Sequence, residues 1–124
     1  MPPTAGYVCI PILNTQYSVR ICWNSRTAFK RLYEKFMEQE INPGILQGVR
    51  GRTFWRSNYH PFIYLDISPQ DKHFFSTLAH EATHAIDYIY EYVGEKPGGE
   101  VYAICIEAIV HAVEGFAYRL RKVK

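Results

Sequence analysis

Apolar positions along the chain recur first every second residue and later every three or four, which predicts strands followed by helices. Tyr7 to Leu13 and Tyr17 to Trp23 read as two strands around a turn at Asn14-Thr15-Gln16, a hairpin whose Pro11 favours an edge position for the first strand. Asn24 or Ser25 then caps a helix running to about Glu40, with Phe29, Leu32, Tyr33 and Phe36 on one face and Asn42-Pro43-Gly44 as its stop. A short strand from Thr53 to Arg56, a turn over Ser57 to Pro61 and a strand from Phe62 to Ile67 come next. In the last of these Ile63, Leu65 and Ile67 alternate with Phe62, Tyr64 and Asp66, the pattern of a half-buried strand.

Two helices complete the chain. The first starts with Ser68 as N-cap, Pro69 at the first helical position and Asp71 near the positive end of the dipole, and it stops at Gly94. Phe75, Leu78, Ala82, Ile86, Ile89 and Val93 form its apolar stripe. After Pro97-Gly98-Gly99, Glu100 to about Lys122 reads as the second. The order β-β-α-β-β-α-α predicts an α+β domain, and 124 residues with 48% hydrophobic content suit one domain, residues 1–124, with a single core.

Charge and cysteines narrow the class. A net charge of +2 is too small to point to nucleic acid, and Arg119, Arg121, Lys122 and Lys124 read as a solvated helix end. The first residues carry no basic region and long apolar core of a secretory signal, and the most apolar stretch, Val101 to Val113, is interrupted by Glu107 and His111. The expectation is a soluble cytoplasmic protein with no membrane partner. Cys9, Cys22 and Cys105 are an odd set without a Cys-x-x-Cys pair, so buried thiols are expected in place of a disulfide framework or zinc ribbon.

The chemistry lies in His80-Glu81-Ala82-Thr83-His84. On a helix turning about 100° per residue, imidazoles four positions apart share one face and can share a Zn2+ ion, while Glu81 between them can reach a water on the metal. The two histidines lie roughly 140° to 180° around the wheel from Phe75, away from the apolar stripe. His80 and His84 are therefore candidate metal ligands, with neutral imidazoles, and Glu81 is the candidate catalytic base.

From Phe62 to Tyr118 the chain resembles the small zincin-type metallopeptidases, in particular compact gluzincin-like proteins of phages and prokaryotes. In those proteins a strand precedes the His-Glu-x-x-His helix, and a turn then leads to a helix carrying a glutamate as third zinc ligand. The matching segments here are Phe62 to Ile67, His80 to His84, the Gly94 to Gly99 turn, and Glu100-Val101-Tyr102-Ala103. Ile104 stands where the phage proteins often have a tyrosine, and Asp87 and Tyr90 occupy the places of the glycine and third histidine of the metzincin pattern.

The resemblance implies a compact zincin-like domain with a small, mostly antiparallel sheet. It also implies Glu100 as third ligand, a peptide or protein substrate, and a prokaryotic cell or phage-infected host as its setting. The implied reaction is peptide-bond hydrolysis by zinc-activated water with Glu81 as general base. Counting along an antiparallel helical hairpin instead brings Glu107 nearer the level of His84, and Glu100 and Glu107 stand about 10 Å apart along one face, too far to bind one ion together. Phe62 to Ile67 is either a platform for an extended peptide or an internal strand. Tyr102 or His111 is a candidate oxyanion donor, and Asp87 a candidate to orient an imidazole. The reading from a different class is a non-catalytic, zinc-stabilised protein-interaction module, against which the presence of Glu81 argues, since a structural metal needs no base beside it.

Overall fold

The computed structural model describes residues 5–12, 15–42, 44–56, 59–93 and 99–123, with side chains to residue 116. Two N-terminal strands, β1 (Gly6–Pro11) and β2 (Ser18–Trp23), lead into helix α1 (Arg26–Met37). Strands β3 (Gly51–Phe54) and β4 (Phe62–Leu65) follow, then helices α2 (Phe74–Val93) and α3 (Gly99–Val123). The element order is the one the periodicities predict, and the domain is α+β. Among the described residues no helix is long and apolar enough to cross a membrane.

The sheet is mixed, in the order β1-β2-β4-β3, with β2 and β4 parallel and the other two pairs antiparallel. Pro11 accordingly sits on an edge strand, where its missing N–H costs no ladder bond. All four residues of β4 are buried, which corrects the half-buried reading of Phe62 to Ile67. Helices cover both faces of the sheet: Ile63 and Leu65 join Val19, Ile21 and Trp23 beneath α2 and α3, while Phe62 and Tyr64 pack with Phe29, Tyr33 and Met37 of α1. Alternation of apolar with polar residues is lost when both faces are dry.

Strand and helix ends move where local bonds outweigh the pattern. Ser25 is the N-cap of α1, its hydroxyl accepting from the Ala28 N–H at 3.2 Å. The helix closes at Met37, before Glu40, because Glu38 turns left-handed (φ 53°) and Arg56 donates to the Met37 carbonyl. The motif helix begins at Phe74, about one turn after the expected start. Ser68 instead closes a turn with Gln70, and the Asp71 carboxylate accepts from the His73 N–H at 2.8 Å just ahead of the helix. The buried face of α2 includes Phe74, Glu81, Ala85 and Tyr90, so its stripe is rotated from the expected one, and Val93 is exposed. Cys22 and Cys105 are buried as expected; Cys9, on the edge strand, is exposed and corrects the third. The Asn14, Pro43, Ser57, Asn58, Gly94, Pro97 and Lys124 readings lie outside the described residues, as do the side chains of Arg119, Arg121 and Lys122.

Candidate functional site

α2 lies along β3, and the two run in the same direction. A Cβ at Gly51 would stand 2.8 Å from Leu65, 2.9 Å from Thr77 and 3.4 Å from Glu81. Thr53 bonds to Glu81, and Trp55 stacks on Tyr88. Glycine at position 51 is what lets the motif helix approach the strand this closely.

The helical spacing of four residues brings His80 and His84 together as the sequence predicts, their Nε2 atoms 3.3 Å apart and their rings nearly perpendicular at 87°. Both are exposed. Two nitrogens each about 2.0–2.1 Å from a tetrahedral ion stand roughly 3.3–3.4 Å apart, so this separation is the bite a zinc ion requires. A neutral imidazole pair could also share a proton here, although an N–H···N contact of 3.3 Å is long for a hydrogen bond.

Glu81 lies about 60–100° around the helix from the two histidines, faces the sheet, and is 8% exposed. Its Oε1 accepts from the Thr53 hydroxyl at 2.8 Å, while Oε2 stands 3.9 Å from His80 Nε2. The same hydroxyl lies 3.0 Å from the Glu81 main-chain carbonyl, so one proton serves two acceptors. One carboxylate oxygen is thereby anchored and the other turned toward the histidine pair. Thr53, which holds the candidate base, carries no signal of this in the sequence. It sits 28 positions away on another element, and only its alternation with Arg52 and Phe54 hints that it shares a face with Gly51.

The remaining candidates stand apart from the pair. Among the described residues no group of three His, Cys, Asp or Glu side chains is gathered to hold a metal. Glu100 lies exposed in the first turn of α3, and Glu107 is exposed with its carboxylate 3.4 Å from His111 on the same helix. The Tyr102 hydroxyl donates to Asp87 at 2.5 Å, tying α3 to α2, and the Tyr102 ring packs edge-on against Tyr90. Burial and the Asp87 carboxylate push the Tyr102 hydroxyl up to about 12. Asp87 is thus bonded to Tyr102, and the Tyr102 proton is committed to Asp87.

The structure also decides between the two readings of the fourth strand. β4 is paired on both sides, by β2 and β3, so it is internal and takes no further strand. β3 is the edge beside the motif helix. The Asp66 N–H to Arg50 carbonyl bond sets the phase of its ladder. Arg52 and Phe54 therefore bond to β4, while the main-chain groups of Gly51 and Thr53 point to the open side.

No family model, curated protein or solved structure matches the chain.

Proposed function

We propose that the chain is a zinc-dependent metallopeptidase, a hydrolase of zincin-like type that cleaves peptide bonds in a peptide or protein substrate. The observation that carries the proposal is the joint geometry of the motif: two Nε2 atoms at the bite of a tetrahedral ion, beside a carboxylate with one oxygen fixed by Thr53. His80 and His84 would hold the ion. Glu100 is the third donor in this reading because the resemblance implies it; in the structure it lies exposed in the first turn of α3, apart from the pair. Zinc bound there supplies Lewis acidity, bringing the pKa of water to about 7 and polarising a carbonyl.

The other steps belong to the chain. Glu81 takes the proton from the attacking water through Oε2 and returns it to the leaving amine, while Thr53 keeps Oε1 occupied and the carboxylate in place. The outward main-chain groups of Gly51 and Thr53 hold an extended substrate by strand addition. No serine or cysteine nucleophile is required.

Replacing Glu81 with Gln keeps the side chain's size and its acceptor for Thr53 but removes the base. Hydrolysis of a peptide mixture should fall about 10²- to 10⁴-fold while zinc content and thermal stability stay near the parent's. A variant that cleaves as fast as the parent overturns the mechanism. The second reading, a zinc-stabilised interaction module, draws on the exposed apolar side chains Val101 and Ile104 near Glu100. It leaves the anchored Glu81 carboxylate without a task.

A further inference from the structure

The histidine row does not end at His84. Residues at intervals of four follow one another up a helix, and His80 and His84 are continued by Tyr88 and Tyr92. Trp55, just beyond β3, stacks on Tyr88 with ring centroids 5.1 Å apart and planes within 4°, and meets Tyr92 edge-on at 6.1 Å. Tyr92 in turn packs edge-on against the buried Tyr17 at 5.6 Å, and Tyr17 against His60. The cluster is thus braced from behind, yet Trp55 and Tyr88 remain half-buried and Tyr92 is 42% exposed. Apolar rings held partly in water beside a candidate catalytic centre, at the end of an open strand edge, are suited to receive a side chain.

The register of an added strand says which one. A peptide added antiparallel to β3 would exchange two main-chain bonds with Thr53, and its residue opposite Thr53 would lie level with Glu81. Its residue opposite Trp55 is two positions nearer its amino terminus, and by strand alternation faces α2 as Thr53 and Trp55 do. We propose that Trp55, Tyr88 and Tyr92 form the subsite for an aromatic or branched aliphatic residue on the amino-terminal side of the bond to be cleaved. Naming that bond rests on the metallopeptidase reading; the aromatic subsite itself does not.

Two measurements keep the ideas separable. Two blocked octapeptides, identical except for Phe or Ser at one central position, are titrated into the Glu81→Gln protein and its Trp55→Ala and Trp55→Phe derivatives, with binding followed by calorimetry. The Phe peptide should bind about tenfold more tightly than the Ser peptide; Trp55→Ala should abolish the difference and Trp55→Phe should keep most of it. Equal binding of the two peptides, or discrimination surviving in a folded Trp55→Ala protein, overturns the subsite. Cleavage of a randomised peptide mixture by the zinc-loaded parent should then place aromatic and branched aliphatic residues upstream of the cut. Their enrichment only downstream overturns the assigned direction, whereas no cleavage alongside Trp55-dependent discrimination retires the catalytic reading and leaves the subsite standing.

Discussion

Thr53→Val removes one hydroxyl at nearly constant shape, and with it the bond that fixes the Glu81 carboxylate. The Glu81 side chain is 10% exposed, so water cannot readily replace the lost donor. A hydrogen bond to a charged group is worth about 1.5–3 kcal/mol, and a domain of 124 residues loses roughly 3–5 °C of Tm per kcal/mol, so Tm should drop about 5–15 °C. The hydroxyl has a competing acceptor in the Glu81 carbonyl, which a second background resolves. In Glu81→Leu the carboxylate is gone but the carbonyl remains. Circular-dichroism melts of the four proteins in the cycle should show the Thr53→Val loss shrinking to under about 0.5 kcal/mol in the Glu81→Leu background. An undiminished loss there would mean that Thr53 supports the helix backbone and leaves the carboxylate unheld, refuting the positioning argument.

Three further outcomes follow from the same contacts. Gly51→Ala sets a methyl against Leu65 and Thr77, and urea unfolding should show a loss of about 1–3 kcal/mol; a neutral substitution would mean that α2 can move away from β3 freely. Burial chiefly, with the Arg20 charge, holds the His60 imidazole below its usual value while its Nδ1 accepts the Ser18 N–H at 2.9 Å. Its contribution to stability is therefore complete above pH 6.5 and lost as pH falls through the lowered folded value, so the parent should lose more Tm than His60→Asn between pH 7.5 and about 5; parallel losses would contradict this. Glu100→Ala should weaken zinc binding more than Glu107→Ala in titrations of the two folded variants, and the reverse order would move the third ligand to Glu107.

Local signals carried far in this chain because the type and sequence order of its elements are set by short-range pattern. The element sequence, the Ser25 cap, the edge position of Pro11 and the approach of His80 to His84 all depend on spacing within one element, which the residues themselves display. What was not legible depends on contacts between elements. β4 looks half-buried because Asp66 and Ser68 follow it, yet α1 and α2 cover both its faces. Thr53 carries no motif, and its role exists only because Gly51 admits α2. Asp87 and Tyr102 each read as separate candidates for the centre, while the hairpin of α2 and α3 gives them to each other. Glu100 and Glu107 differ by two turns of one helix, and no periodicity chooses between them.

The central claim is that His80 and His84 bind zinc, and metal stoichiometry tests it most directly. Protein purified without chelators and saturated with zinc should contain one zinc per chain by elemental analysis, and His80→Ala and His84→Ala should each reduce that markedly while remaining folded. A parent protein with no zinc and no uptake on titration, or full stoichiometry in both histidine variants, would contradict the account.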